Sequence, residues 1–228
     1  MEKAVSKFIV YPDRDLLVVD LASKLAEDLQ EVLGHQERAS LIVPGGSTPG
    51  AIFDVLCSSD INWARVAVMV SDERWVSETS ERSNTKLLRE RLMVNRAAAA
   101  RLVSLYLPYS EPEEALDELR QSCRYVLPIS VLLLGMGVDM HTASLFPGAD
   151  QLEEALDADA PILLPMRVKG ANEPRVTLTA SVLNGALKKH LVIFGEEKRN
   201  AYETAKLIPA KDAPVRAIMD DLIVHWAP

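Results

Sequence analysis

Cysteine is scarce in this sequence, since Cys57 and Cys123 are the only two among 228 residues. Two cysteines with no metal-like spacing are more typical of reduced core thiols than of a disulfide. The sequence therefore predicts neither a disulfide-stabilised secreted scaffold nor a zinc site.

Long apolar runs are also missing. No segment approaches the roughly 20 apolar residues that cross a bilayer. The first residues, MEKAVSKFIVYPDRD, lack the apolar core of a signal peptide. We therefore predict a cytoplasmic protein with no membrane partner.

Basic residues are outnumbered by acidic ones: 25 Lys and Arg stand against 33 Asp and Glu, for a formal net charge of -8. Binding to nucleic acid requires a concentrated basic surface, so we predict no nucleic-acid partner. An acidic protein that binds an anion must gather cations locally, which draws attention to Arg74, Lys169, Arg175 and Lys198.

Strand-like and helical segments alternate along the chain, which indicates βαβ crossovers and a mainly parallel sheet in one domain. The predicted strands are 8–10, 40–43, 65–70, 101–107, 130–134, 162–168, 175–179, 190–194 and 219–226. The predicted helices are 13–34, 49–57, 83–93, 111–125, 180–187 and 196–207. The first helix has leucine at every fourth position, Asp13 as its N-cap and Gly34 as its stop.

Four predicted strands end in polar or glycine-rich loops. These loops read GGSTPG (45–50), SDERW (71–75), GMGVDMHTASLFPG (135–148) and GEEK (195–198). Because open parallel sheets bind ligands beyond the carboxyl ends of their strands, we expect the four loops to border one pocket. Backbone donors, carboxylates, cations and a histidine would meet there, as in a sugar-phosphate site with an acid-base group.

The GGSTPG loop is a candidate anion site. Gly45 and Gly46 allow the backbone to approach a ligand closely, and the hydroxyls of Ser47 and Thr48 add donors. The loop lacks the lysine of a nucleotide-binding P-loop. A tight strand-to-helix turn with an N-cap is the alternative interpretation.

The SDERW loop brings three charged residues to the end of a strand. Because side chains alternate in direction there, Asp72 and Arg74 share a face while Glu73 turns away. Asp72 is a candidate acceptor for sugar hydroxyls or for a proton, and Arg74 is a candidate phosphate ligand. A salt-bridged loop that only stabilises the fold is the alternative.

His141 is the candidate acid-base residue. Imidazole both takes and returns a proton near neutral pH, and Asp139 stands close enough in sequence to fix the tautomer of this ring. No G-x-S-x-G motif is present, and Ser144 lies beyond the histidine in a segment that turns apolar. We therefore interpret His141 as a base toward water, not as the partner of a nucleophilic serine.

The remaining histidines show no comparable setting, and His35, His190 and His225 are interpreted as structural. No cluster has metal-ligand spacing, so we predict no metal site. The glycines at 135 and 137 lack the third glycine of a dinucleotide fingerprint.

The motifs PGGSTP (44–49), SDERWV (71–76) with SN (83–84), GMGVDMHTASLFPG, PRVTLT (174–179) and GEEK occur in a characteristic order. On these motifs the chain resembles the glucosamine-6-phosphate isomerase/6-phosphogluconolactonase family over nearly its whole length. The segment HTASLFPG is similar to the lactonase branch. The resemblance implies an α/β, Rossmann-like fold with a mainly parallel sheet flanked by helices on both faces, in a single domain over residues 1–228.

The resemblance also implies an enzyme that hydrolyses 6-phospho-D-glucono-1,5-lactone to 6-phospho-D-gluconate in the oxidative pentose phosphate pathway, without a metal or organic cofactor. Its implied catalytic residues are His141 as the base and Asp139 and Asp72 as supporting carboxylates. The residues implied to bind substrate and phosphate are Gly45, Gly46, Ser47, Thr48, Arg74, Arg175 and Lys198. The implied partner is the sugar-phosphate lactone, and a monomer or homodimer is expected.

Two segments depart from the family's pattern. Met140 replaces a glycine that many relatives have before the histidine, which leaves open whether this position needs a positive φ. The segment VSETSERSN (76–84) replaces a loop that contains proline.

Two other functions stay open at this point. An amino-sugar phosphate isomerase and deaminase would use Asp72 to move a proton between carbons, although HTASLFPG argues against it. A non-catalytic sugar-phosphate sensor would carry a DNA-binding module, and the sequence contains no basic helix-turn-helix.

Overall fold

A seven-stranded parallel sheet forms the centre of the protein in a computed structural model that describes residues 7–228. The strands in that range are β1 (Lys7–Val10), β2 (Ala39–Val43), β3 (Val66–Val70), β4 (Asp72–Arg74), β5 (Arg101–Leu102), β6 (Val131–Gly135), β7 (Leu163–Met166), β8 (Arg175–Leu178), β9 (Lys188–Phe194) and β10 (Leu222–Ala227). The α-helices there are α1 (Arg14–His35), α2 (Gly50–Leu56), α3 (Asn84–Arg91), α4 (Leu116–Cys123), α5 (Leu152–Leu156), α6 (Ala180–Asn184) and α7 (Glu196–Ala205).

The strand order of the large sheet is β1-β10-β9-β6-β2-β3-β5, and the direction of winding reverses between β2 and β6. From β2 the chain continues outward through β3 to β5, whereas from β6 it continues the other way through β9 to β10. Because crossovers between parallel strands are right-handed, the two directions place helices on opposite faces. The predicted mainly parallel α/β sheet is confirmed, and its crevice lies at the carboxyl ends of β2 and β6.

A separate antiparallel sheet contains β4, β8 and β7. The segments 162–168 and 175–179 contain strands as predicted, but these strands do not join the large sheet. Instead, β8 pairs with β4, so Arg175 lies directly opposite Arg74. The small sheet therefore fixes the relative positions of two cations that are distant in sequence.

Several predicted boundaries are wrong. The strand expected at 101–107 contains only Arg101–Leu102, because the Ser104 hydroxyl bonds to both the amide and the carbonyl of Tyr106 and turns the chain away from the sheet. The stop expected at Gly34 is also misplaced, since α1 includes that residue. The helix expected at 111–125 is α-helical only in α4, with a 3₁₀ turn on each side.

The buried apolar side chains form one continuous core between the sheet and its helices. Every residue of β2 and β3 is buried, as expected for central strands covered on both faces. The leucines that recur every fourth residue in α1 are all buried, namely Leu17, Leu21, Leu25, Leu29 and Leu33. The periodicity of this helix therefore predicts its buried face.

A chain of buried polar side chains lies within this core. The Asp28 carboxylate contacts Nε2 of His190 at 2.8 Å, and Nδ1 of His190 contacts Nε2 of His225 at 3.1 Å. Nδ1 of His225 contacts the hydroxyl of Tyr11 at 2.9 Å, and this hydroxyl donates to Asp20 at 2.6 Å. Both imidazoles are enclosed and bonded to protein groups, which fits their interpretation as structural residues.

Acid is expected to weaken the fold through His225. Burial, together with repulsion from His190, Lys7 and Lys24, lowers the pKa of His225 from 6.5 to about 3, and Asp28 opposes this shift. The unfolded chain therefore binds the proton more tightly. The stability that neutral His225 provides is complete above pH 6.5 and is lost as the pH falls toward 3. This single group contributes a slope of up to about 1.4 kcal/mol per pH unit to the free energy of unfolding.

Urea unfolding of the wild type and of His225→Gln across this pH window measures that slope. Glutamine does not titrate, so the variant should lose less stability on acidification than the wild type does. His35→Gln, at the exposed end of α1, is the control and should keep the wild-type slope. A wild-type slope in His225→Gln would contradict the lowered pKa of this histidine.

Candidate active site

The loops beyond β2, β3, β6 and β9 border one cleft with a volume of about 250 Å³. The predicted site residues that line it are Gly45, Gly46, Ser47, Thr48, Asp72, Arg74, His141, Arg175 and Lys198. Asp139 is the remaining predicted residue, and it contacts His141 from beside the cleft. Lys169 was singled out in the sequence analysis as one of the cations that could gather around an anion. It is exposed and does not line the cleft.

His141 and Asp139 form a hydrogen-bonded pair. Nδ1 of His141 lies 2.5 Å from Oδ1 of Asp139, and the main-chain amide of His141 reaches the same oxygen at 3.3 Å. An ionised carboxylate only accepts, so Nδ1 carries the hydrogen and Nε2 keeps its lone pair. The imidazole therefore has the tautomer that accepts a proton at Nε2, as a general base requires.

A tight turn holds this pair together. A Cβ at Gly137 would lie 2.3 Å from Nδ1 of His141 and 2.4 Å from Oδ1 of Asp139, so a side chain there would displace both groups. Met140 adopts a φ of 64°, the left-handed region that glycine favours. Its carbonyl accepts from the amide of Val215 at 3.1 Å. Residue 140 thus has a positive φ although it is not glycine.

The GGSTPG loop presents main-chain donors to the cleft. Within the described part of the chain, the amides of Gly46, Ser47 and Thr48 donate to no protein acceptor. Gly46 has a φ of 84°, so the turn itself needs glycine. Unpaired amides on an exposed turn are the donors with which proteins bind anions.

Glu73 turns away from the cleft, as predicted, and fixes the start of α3. Its carboxylate accepts from the Ser83 hydroxyl at 3.0 Å and from the amides of Asn84 and Thr85 at 2.8 and 2.7 Å. Burial raises the pKa of Glu73, and these donors partly oppose the shift. The Asn84 side chain then donates to the Asp72 carbonyl at 2.8 Å and lines the cleft. The sequence analysis named Asn84 only as part of the SN motif at 83–84 and did not predict this position in the cleft.

Asp72 is buried at the base of the cleft, where two hydroxyls donate to it. Ser71 donates to Oδ1 at 2.8 Å and Ser144 donates to Oδ2 at 2.5 Å. Arg175 places Nη1 3.9 Å from the same Oδ2. Ser144 is fully buried and donates to a carboxylate, not to the imidazole of His141, which agrees with its exclusion as a nucleophile.

Three cations, Arg74, Arg175 and Lys198, line the cleft. Arg74 donates to the Arg82 carbonyl at 2.7 Å, and its Nε lies 4.0 Å from Glu173. Burial lowers the pKa of Arg175, although Asp72 opposes the shift. Burial likewise lowers the pKa of Lys198, in the first turn of α7, and Asp139 acts in the opposite direction. These cations are therefore only partly compensated by neighbouring carboxylates.

Phe146 is a further neighbour of the site that sequence reasoning missed. Its ring stacks on the imidazole of His141, with ring centroids 4.0 Å apart and planes inclined by 24°. The guanidinium carbon of Arg175 lies 5.0 Å from the centre of the same ring. The motif HTASLFPG contains this residue, but only the fold reveals which side chains it contacts.

The two cysteines are buried free thiols, as predicted. Burial raises the pKa of Cys123 to about 12, so this thiol stays protonated. Residues 7–228 contain no group of three or more His, Cys, Asp and Glu side chains arranged to hold a metal ion. No helix in the same part of the chain has both the length and the apolar character needed to span a bilayer.

Comparison with known proteins gives one family. The model of the glucosamine-6-phosphate isomerases/6-phosphogluconolactonase family matches residues 12–226. A 6-phosphogluconolactonase of Mesorhizobium japonicum is 41% identical over 96% of this chain and 94% of its own length. One of Pseudomonas aeruginosa is 38% identical, over 91% and 89%. The crystal structure of a 6-phosphogluconolactonase from Shewanella baltica superposes with a TM-score of 0.94 at 34% identity, covering 98% of each chain.

The contact between Gly45 and Asn84 predicts a stability effect. A Cβ at Gly45 would lie 1.9 Å from Oδ1 of Asn84, which is buried and held by its bond to Asp72. Gly45→Ala should therefore destabilise the protein by about 1–3 kcal/mol through overpacking. Gly34→Ala, in α1 with open space around its Cβ, is the matched control and should cause no loss.

A double-mutant cycle in chemical denaturation isolates this contact. Combining Gly45→Ala with Asn84→Ala removes the clash, so the double variant should be more stable than the sum of the single losses predicts. Additive losses would show that the two residues do not press against each other.

Proposed function

This chain belongs to the glucosamine-6-phosphate isomerase/6-phosphogluconolactonase family, and we propose that His141 is the base with which it hydrolyses a sugar-phosphate lactone. The reaction is that of its lactonase relatives, in which 6-phospho-D-glucono-1,5-lactone becomes 6-phospho-D-gluconate in the oxidative pentose phosphate pathway. One observation carries the proposal. The imidazole with its free Nε2 shares a cleft with the unpaired amides of the glycine loop and with three cations.

The 6-phosphate binds at the glycine loop and the nearby cations. Amides and hydroxyls of Ser47 and Thr48 donate to its oxygens, and Arg74 and Arg175 add charge-assisted bonds. Binding energy at this remote group orients the lactone ring toward His141 and lowers the entropy cost of reaction. Lys198 adds a third positive charge on the opposite wall of the crevice, beyond β9.

Hydrolysis needs a base and then an acid, and one imidazole serves as both. Nε2 of His141 takes a proton from water while the water oxygen forms a bond to the C1 carbonyl carbon. As the tetrahedral intermediate collapses, the bond between C1 and the ring oxygen breaks, and the imidazolium returns the proton to that oxygen. Asp139 keeps Nδ1 protonated throughout and stabilises the imidazolium.

The contacts of Asp72 favour the lactonase over the isomerase. A base that moves a proton between carbons needs a carboxylate that is free to receive it, whereas both oxygens of Asp72 accept from buried hydroxyls. Asp72 therefore acts by positioning Arg175 and the floor of the cleft. The closely related curated proteins are named lactonases, which supports the same choice.

The proposed chemistry also bears on the cellular location, the partners and the cofactors of the enzyme. We propose a cytoplasmic location, which the two buried free thiols support. The proposed partner is the lactone alone, bound by a monomer or homodimer without a metal or organic cofactor. One domain over residues 1–228 contains all the groups that this mechanism uses.

Removing the imidazole should abolish most of the rate. His141→Ala is expected to lower turnover at least about 100-fold, the usual contribution of general acid-base catalysis. Affinity for the product, 6-phosphogluconate, should stay near the wild-type value because the phosphate contacts remain. Lactone hydrolysis corrected for spontaneous ring opening measures the first quantity, and calorimetric titration measures the second. His35→Ala is the control for loss of a histidine, and near-normal turnover in His141→Ala would refute the role of this base.

Removing the Arg74 guanidinium should instead weaken binding. Arg74→Ala is expected to raise KM about 10- to 100-fold, the value of one or two charge-assisted hydrogen bonds, with a smaller change in kcat. Arg89→Ala removes an exposed arginine that pairs with Glu78, and its KM should stay unchanged. If Arg74→Ala lowered only kcat, the phosphate contact would be the wrong assignment.

A further inference from the structure

Phe146 is only partly buried, yet hydrogen bonds hold the backbone around it. Its carbonyl accepts from the Ala149 amide at 3.1 Å, and the preceding Leu145 is fully buried and bonded to Thr142. The Thr142 hydroxyl donates in turn to the carbonyl of Gly135, at the end of β6. The sheet thus fixes the backbone that carries the phenyl ring, although the ring itself is not a core side chain.

The hydrogen bond to Asp139 leaves the imidazole plane undetermined. This bond restrains one ring atom, Nδ1, and the space beside Gly137 accommodates that edge of the ring. A single hydrogen bond still permits the imidazole ring to rotate about that bond. Such a rotation would move Nε2 relative to the cleft. The stacked phenyl ring restricts this rotation, because it covers one face of the imidazole at a centroid distance of 4.0 Å.

We propose that Phe146 is a positioning residue for the reaction, resting on the proposed role of His141 as the base. It holds the imidazole plane so that Nε2 faces the lactone carbonyl, and its ring face stabilises the imidazolium that forms when water is deprotonated. The first effect follows from the stacking geometry. The second follows from the negative charge density on the face of an aromatic ring.

Arg175 connects this ring to the other half of the site. Its guanidinium carbon lies 5.0 Å from the phenyl centre, while its Nη1 lies 3.4 Å from the Ser144 hydroxyl and 3.9 Å from Asp72. Nε of Arg175 is buried and has no hydrogen-bond partner in the described residues, so packing against the ring is one of the contacts that orient this side chain. One aromatic side chain therefore lies against both the proposed base and a proposed phosphate ligand.

The test replaces the ring and then restores it. Phe146→Leu keeps the bulk but removes the aromatic face, and kcat should fall about tenfold, as expected when a catalytic group loses its alignment. Phe146→Tyr keeps the ring and should recover kcat to within about threefold of the wild type. The acid limb of the pH profile of kcat/KM should move to lower pH by about half a unit in Phe146→Leu, because the imidazolium loses a stabilising neighbour.

A control separates this role from a merely structural one. Phe8→Leu removes a partly buried ring that also has an aromatic and an arginine neighbour but does not line the cleft, and it should change neither kcat nor the pH profile. Thermal unfolding of each variant verifies that it is folded at the assay temperature. If Phe146→Leu is not folded there, Phe146→Met takes its place, since methionine fills similar space.

The outcomes separate the two proposals. A wild type that does not hydrolyse the lactone, or an unaffected His141→Ala, overturns the proposed function itself. With those two results as expected, the role of Phe146 is overturned by any of three findings: kcat of Phe146→Leu within about twofold of the wild type, no recovery in Phe146→Tyr, or an unmoved acid limb.

Discussion

The reversal of winding between β2 and β6 is the constraint on which the rest of the structure depends. Since the chain leaves these neighbouring strands in opposite directions, a crevice opens at their carboxyl ends. The glycine loop therefore comes from one strand and His141 from the other, and both border the cleft although more than ninety residues separate them. The small sheet of β4, β8 and β7 adds the arginines from the side. The proposed phosphate site and the proposed base thus come from different strands and border one crevice.

The sequence predicts those parts of the site that follow directly from strand ends. Asp72, His141 and the glycine loop are found this way because the position after a buried strand determines where a residue lies in a parallel sheet. The contacts of Asn84 and Phe146 could not be predicted from strand ends, because they depend on how α3 and the turn after His141 pack in three dimensions. The prediction of a strand over 101–107 was wrong for a similar reason. The Ser104 hydroxyl bonds to main-chain groups that a β-strand would pair with its neighbour, and the pattern of apolar residues does not reveal such a bond.

Histidine occurs in two different environments in this molecule. His141 is partly exposed, bonds to one carboxylate and keeps one nitrogen for the cleft. His190 and His225 use both nitrogens within a buried chain that joins α1 to β9 and β10. A residue type with a near-neutral titration suits catalysis when it is accessible, but inside the core it ties strand to helix and makes the fold sensitive to acid.

Arg74 and Arg175 face each other across the antiparallel pair of β4 and β8. Like charges in directly opposed positions strain a sheet, and Arg74 contributes, after burial, to the lowered pKa of Arg175. A doubly charged anion that bridges the two guanidinium groups relieves this repulsion, so occupancy and folding become thermodynamically linked. If the two arginines bind phosphate as proposed, a bound phosphorylated sugar acid stabilises the folded protein against heat and proteolysis.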